Sequence, residues 1–267
     1  MKPTEIKKIL GEIGGGMNKR LGQHFLIDRS ALDSVVREVH VHPGMITLEV
    51  GPGLGVLTQA LLDAGHDVVA IERDARFAAY LEQRFSGRQF RLVKGDAAQL
   101  DWMDIVKDRE WQLASNLPYA ISSLALRLAL WSPQPAENVV VMLQREVAER
   151  AAGKNGKTSL LSLMVALASS DIRIVKRVPP GAFYPPPKVE SAILQIEPMP
   201  VPERIERWGI DPEKIMQVAK KGFAHPRKLL TSNLGIQKIG IEGIPEKARA
   251  EALSPDQWAR LTIALTV

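Results

Sequence analysis

Asn116-Leu117-Pro118-Tyr119 is the stretch whose residue types and order could do chemistry. It follows an apolar-leaning run, Trp111–Ser115, that reads as a short buried strand. In an open α/β sheet, ligands bind outside the carboxyl ends of strands, where this string would lie. The exocyclic amine of a nucleobase is a poor nucleophile, because its lone pair is delocalised into the ring. Two acceptors, the Asn116 side-chain oxygen and a main-chain carbonyl such as that of Leu117, would bind its two hydrogens and aim the lone pair. Pro118 fixes φ and removes a donor, which suits a rigid turn presenting carbonyls. Tyr119 offers a face to a base, and such stacking is worth about 1–3 kcal/mol. Attack on a sulfonium methyl would need no general base, since the cationic product sheds its proton afterwards. Positioning alone supplies roughly 7–11 kcal/mol in favourable cases. The competing reading of these four residues is a strand end, an ordinary Pro turn and a core tyrosine.

Elements on either side must place that string. Met45–Val50 reads as the first strand and runs into Glu49-Val50-Gly51-Pro52-Gly53-Leu54-Gly55, followed by a helix over Val56–Ala64. Glycines at 51, 53 and 55 allow a ligand close to the backbone at a strand-to-helix turn; a tight turn alone would also use them. Asp67–Ile71 reads as the second strand, with Glu72 at its tip, able to accept from both hydroxyls of a ribose, or else a solvated acid before a helix. Gln89–Lys94 reads as the third, followed by Asp96, which could accept from an adenine amine or cap the next turn. Three such features at consecutive strand ends describe a nucleoside cleft without a phosphate-binding lysine. That favours S-adenosylmethionine over a dinucleotide.

Composition bounds the rest. The chain has 267 residues, 45% of them hydrophobic, a formal net charge of +5 and no cysteine. Disulfides, thiolate metal sites and cysteine nucleophiles are therefore excluded. The five histidines, at 24, 40, 42, 66 and 225, lack ligand-like spacing, so no metal is expected. The opening residues lack the apolar run of a secretory signal, and Leu160–Ala168 is too short to span a bilayer. The expectation is a cytoplasmic protein with no membrane partner, and nothing points to an obligate dimer, so a monomer is expected.

Residues 1–16 end in Gly14-Gly15-Gly16 and read as a flexible arm. Lys19 and Arg20 would meet phosphate or belong to a solvated tail, and Asp28 would cap a helix over Arg29–Val39. Beyond the Asn116 string come a helix over Ile121–Trp131, a buried strand over Asn138–Leu143 and helices over Gln144–Ala152 and Thr158–Ala168. Lys154 and Lys157 sit in a basic loop able to contact a nucleic-acid backbone, or simply exposed. Asp171–Val178 and Val189–Glu197 read as an antiparallel hairpin around a Pro-rich loop. Phe183 in that loop would offer a second ring to a flipped base, or plug the core. Pro198–Pro202 reads as a linker to helices over Pro212–Gly222, Arg227–Leu234, Pro245–Leu253 and Pro255–Ala264. The first half of that segment is basic, with Lys221, Arg227 and Lys228 as candidate RNA contacts.

In this order, Leu21-Gly22-Gln23-His24-Phe25-Leu26, the Glu49–Gly55 loop, Gly95-Asp96, Asn116-Leu117-Pro118-Tyr119 and Phe183-Tyr184-Pro185-Pro186-Pro187-Lys188-Val189-Glu190-Ser191 resemble the ribosomal RNA small-subunit adenine N6,N6-dimethyltransferase family from about Asn18 to Leu234. The resemblance implies a Rossmann-like α/β methyltransferase sheet over 17–198, mostly parallel with the last strand antiparallel, and a small all-helical C-terminal domain over 203–267. It implies S-adenosylmethionine contacts at His24, Leu26, Gly51, Gly53, Glu72, Asp96 and Asn116. Asn116, Tyr119 and Phe183 would hold the target adenine. The family dimethylates two adjacent adenines in a hairpin loop near the 3′ end of small-subunit rRNA, within an assembling subunit. Ala120 and Ala224-His225-Pro226 depart from the usual family strings. Two alternatives share the fold: a large-subunit rRNA adenine methyltransferase, and a non-catalytic RNA-binding assembly factor.

Overall fold

A computed structural model describes residues 1–14 and 24–266. Lys19 and Arg20 lie outside the described residues. The strands are β1 (Phe25–Leu26), β2 (Ile46–Val50), β3 (Asp67–Glu72), β4 (Phe90–Lys94), β5 (Trp111–Asn116), β6 (Val139–Gln144), β7 (Ser169–Val178), β8 (Phe183–Tyr184) and β9 (Ser191–Pro198). The helices are α1 (Pro3–Glu12), α2 (Arg29–Glu38), α3 (Val56–Asp63), α4 (Ala75–Arg84), α5 (Trp102–Val106), α6 (Ser122–Trp131), α7 (Arg145–Ala151), α8 (Leu160–Ala168), α9 (Val201–Trp208), α10 (Pro212–Gly222), α11 (Leu230–Leu234) and α12 (Pro255–Thr266). The chain divides into two compact units, Met1–Ala148 with Arg173–Glu197, and Glu149–Ile172 with Pro198–Val267.

A seven-stranded sheet in the order β4-β3-β2-β5-β6-β9-β7 organises the first unit. Strands β2, β5 and β6 are buried along almost their whole length, β6 as a continuous apolar run and β2 and β5 with Thr47, Glu49, Gln112 and Ser115 hydrogen-bonded among their apolar residues. β2 pairs in parallel with β3 (Val50 opposite Ile71) and with β5 (Leu48 opposite Leu113). β5 pairs in parallel with β6, and Asn116 stands opposite Met142. β9 runs antiparallel to β6, as the sequence predicts for the last strand. The chain order reverses at β2, so the carboxyl ends of β2, β3 and β5 open a crevice at the switch point.

The opposite end of the sheet carries a polar ladder. Gln112 Nε2 donates to Thr47 Oγ1 (3.0 Å) and to the His40 carbonyl (2.6 Å), while its oxygen accepts from the His40 N–H (3.0 Å). Asn138 donates to the Glu38 carbonyl (2.8 Å) and accepts from Gln195 (3.2 Å). The ladder ties the end of α2 to β2, β5, β6 and β9. α2 starts where the sequence places it, with Asp28 accepting from the Ala31 N–H.

One correction concerns this unit. The loose arm expected over 1–16 contains α1, whose Ile6 and Leu10 are buried with Phe25, Leu54 and Phe77. Its turn is closed by Glu5, which accepts from the Lys2 N–H at 2.6 Å. β1 and β8 also form a separate antiparallel ribbon, Phe25 opposite Tyr184 and Leu26 opposite Phe183.

The second unit is helical and begins earlier than the sequence predicts, because α8 belongs to it. α8 is apolar on nearly every side, LLSLMVALA, with Ser162 used in its N-terminal cap, as suits a helix enclosed by others. The Trp208 indole donates to the Leu167 carbonyl (3.0 Å), and the Met199 N–H to the Ala168 carbonyl (2.8 Å). The expected linker is partly α9, with Pro202 in its first turn, where a missing N–H costs nothing. The expected helix over Pro245–Leu253 is instead a series of turns, the last a short 3-10 helix over Ala250–Ala252. Its carbonyls serve distant partners: Ala248 accepts from the Leu230 N–H and Glu251 from the Thr158 N–H, both at 2.9 Å. The expected helix over Arg227–Leu234 is confined to α11, after a turn in which the Lys228 N–H reaches the His225 carbonyl.

Candidate active site

Within the first unit, one cleft brings together His24, Leu26, Gly51, Gly53, Glu72, Asp96, Asn116, Tyr119 and Phe183. These are all the residues the sequence nominates for donor and base. Gly51 and Gly53 have φ of +71° and +58°, a region that other residues enter at a cost of roughly 1–2 kcal/mol. Space is as tight as conformation. A Cβ at Gly51 would lie 3.0 Å from the Pro118 ring, and one at Gly53 would lie 3.2 Å from the Phe25 ring. A bare backbone therefore faces the cleft between β2 and α3.

Glu72 ends β3 and is nearly buried. Its oxygens accept from the Gly53 N–H (3.1 Å) and the Asp74 N–H (2.8 Å), which fix the carboxylate's orientation. Burial raises its pKa, and those backbone donors oppose the rise. Of the two roles left open by the sequence for Asp96, the structure shows the cap. Asp96 lines the cleft, and it caps the following turn by accepting from the Ala98 N–H (3.0 Å). Its second oxygen meets Arg73 at 3.1 Å.

Asn116 donates through Nδ2 to the His24 carbonyl at 3.4 Å. A carbonyl can only accept, so this long contact favours the amide turned with Nδ2 towards His24 and Oδ1 away from it. The His24 ring turns elsewhere. Its Nδ1 lies 2.8 Å from the Pro185 carbonyl oxygen and so carries the hydrogen. Tyr119 stands beside it, the two ring centroids 6.2 Å apart, and its hydroxyl is 3.3 Å from Ser191 Oγ. Phe183 reaches the cleft but is only 3% exposed and packs into the main core. It stands as a wall rather than an open face, which agrees with the reading of it as a plug of the core.

Two residues of the quoted strings were given no role by the sequence. Ser191 closes the Pro-rich string, but its tie to Tyr119 spans 72 positions and leaves no local sign. Glu49 lines the cleft, is 2% exposed, and accepts from the Thr58 hydroxyl at 2.6 Å. Burial pushes its pKa up to about 8, and the neighbouring Glu72 adds to the rise. Its place one residue before the end of a wholly buried strand was the available sign.

Lys154, Lys157, Lys221, Arg227 and Lys228 are exposed residues of the second unit, and Lys157 pairs with Glu251 at 2.8 Å. Among the described residues no group of three or more His, Cys, Asp or Glu could hold a metal, and no helix is long and apolar enough to cross a membrane.

The family profile described as "Ribosomal RNA adenine dimethylase" matches residues 15–266. The chain belongs to this family. Its members are S-adenosylmethionine-dependent methyltransferases, and the bare-backbone turn beside an oriented acid suits a nucleoside donor. A protein named "Ribosomal RNA small subunit methyltransferase A" from Dehalococcoides mccartyi (strain CBDB1) is 37% identical over 257 residues, covering 92% of this chain and 87% of its own. The crystal structure of the 23S rRNA methyltransferase ErmE superposes with a TM-score of 0.70 at 25% identity, covering 91% of this chain and all of that one. A dimethyladenosine transferase from Plasmodium falciparum superposes with a TM-score of 0.75 at 21% identity, covering 91% and 98%, a likeness of fold. This dimethylase-family chain thus carries the α/β sheet and helical C-terminal region that its sequence predicts.

Proposed function

We propose that this enzyme dimethylates N6 of two adjacent adenines in a hairpin loop near the 3′ end of small-subunit rRNA, during cytoplasmic assembly of the subunit, and that it acts as a monomer. The small-subunit relative at 37% identity supports that target over the large-subunit one, where the likeness is 25%. Loop adenines are extruded at lower cost than paired ones.

The observation that carries the mechanism is the orientation of the Asn116 amide. With Nδ2 tied to the His24 carbonyl, Oδ1 accepts one hydrogen of the target amine, and the Leu117 carbonyl accepts the other. Tyr119, held through Ser191, stacks on the base, and Phe183 closes the apolar wall behind it. Gly51, Gly53, Glu72 and Asp96 hold the methyl donor, with Leu26 and the His24 backbone beside them. The donor supplies a sulfonium-bound, electrophilic methyl group. The amine's lone pair forms the new N–C bond as the C–S bond breaks, the pair passing to sulfur, and the methylated amine releases its proton to water. After one transfer a single N–H remains. A neutral Asn116 tolerates the lost partner better than a buried carboxylate would. The exposed lysines and arginines of the second unit grip phosphate.

Asn116→Ala is expected to slow methyl transfer from labelled S-adenosylmethionine to undermethylated small subunits by on the order of 10²-fold, while S-adenosylhomocysteine still binds. Full activity in that variant would reject the role. Primer-extension mapping of the modified bases separates the small-subunit target from a large-subunit one. Absence of any cofactor affinity would favour a non-catalytic assembly factor.

A further inference from the structure

α1 has no part in the mechanism above, and it precedes the segment that the family profile matches. It is nonetheless built into the cleft's outer wall. Ile6 is fully buried and Leu10 is 6% exposed, in one cluster with Phe25, Leu54 and Phe77. Each of those three partners lines the cleft from its other side. Phe25 is the ring that would meet a Cβ at Gly53, and it packs edge-on against Phe77 with centroids 5.9 Å apart.

The contact extends to the target-base side. Phe25 pairs across the β1–β8 ribbon with Tyr184, which borders the α1 cluster, and Lys7 Nζ lies 5.8 Å from the Tyr184 ring centroid. The other pair of the ribbon is Leu26 and Phe183, both in the main core. A ribbon of two residues per strand has no independent stability in water and needs packing on its faces. α1 supplies one of those faces.

We propose that α1 is a positioning element for the methyl donor: it buttresses Phe25, Leu54 and Phe77 from outside and so keeps the wall opposite Gly53 in its binding shape. The proposal rests on the reading of the Gly51–Glu72 half of the cleft as the donor site. A wall that must be ordered by the ligand itself binds more weakly than one already in place. Removing α1 therefore loses donor affinity, while RNA binding, which uses the second unit, is unchanged.

The test compares the full chain, a chain lacking residues 1–13 and the full-length double variant Ile6→Ala/Leu10→Ala, each well below its melting temperature. Calorimetric titration with S-adenosylhomocysteine and steady-state methyl transfer give Kd, KM for the donor and kcat. The expected result is Kd and donor KM raised about tenfold in both altered chains, with a smaller change in kcat, and near-wild-type values in Leu10→Met. Should the truncated chain not fold, the double variant decides. Lowered melting temperatures with Kd within about twofold of wild type would leave α1 a merely structural helix and overturn the proposal. Glu72→Ala, measured alongside, separates the two readings. If it binds as wild type, the donor-site reading fails; if it loses affinity while the α1 variants do not, only the role of α1 fails.

Discussion

Glu49 is a carboxylic acid enclosed in β2, and replacing it by glutamine isolates the cost of its charge. The shape is kept, and the amide oxygen still accepts from Thr58, but nothing ionises. Burial raises the Glu49 pKa from 4.5 to about 8. The folded chain thus binds this proton more tightly than the unfolded chain does. The stability Glu49 contributes is full below the unfolded value, falls as pH rises through 4.5 towards 8, and levels off above it. A tenfold change in proton affinity is worth 1.36 kcal/mol, so the whole interval amounts to roughly 5 kcal/mol, of which about 3 kcal/mol is already lost at pH 7. Denaturant unfolding of wild type and Glu49→Gln at intervals between about pH 5 and pH 8 reads this directly. The variant is expected to gain on wild type progressively, by a few kcal/mol across the range. Parallel curves would mean that Glu49 titrates alike in the folded and unfolded chains, and the account of it as a buried neutral acid would be wrong.

Other consequences can be measured separately. Gly53→Ala forces a side chain into left-handed backbone against Phe25; it is expected to cost about 1–2 kcal/mol of stability and to weaken S-adenosylhomocysteine binding by calorimetry. Gln112→Leu removes the centre of the polar ladder, including its bonds to Thr47 and to the His40 N–H and carbonyl, with an expected loss of about 1–3 kcal/mol in denaturant unfolding and unchanged donor affinity. Gly222→Ala would set a Cβ 2.5 Å from the Trp258 ring and 2.8 Å from Leu230; overpacking of this kind costs about 1–3 kcal/mol, visible as a lower melting temperature.

How much of this was legible in the sequence depended on the range of the interaction involved. β6 announces itself as a continuous apolar run, and β2 and β5 as mainly apolar ones, as strands covered on both faces tend to be. The donor turn is legible because only glycine fits the backbone at 51 and 53. Asn116 is legible because it ends a strand beside that turn, and Tyr119 because it follows in the same short string. The β1–β8 ribbon is not, since it joins residues more than 150 positions apart. α1 hides behind three glycines that read as slack, although Ile6 and Leu10 stand one turn apart on one face. Pro245–Leu253 has a helix-start proline and helix-forming residues, yet its carbonyls are taken by distant partners. α8 reads as part of the sheet domain because order along the chain does not reveal which core encloses an apolar helix.

The most direct measurement is a structure of the enzyme with S-adenosylhomocysteine and an adenine nucleotide together. The expected result is an adenine N6 hydrogen-bonded to Asn116 Oδ1, with the transferable methyl position about 3–3.5 Å from that nitrogen and the donor ribose on Glu72. A donor sulfur at the far end of the sheet, beside Gln112, would contradict it.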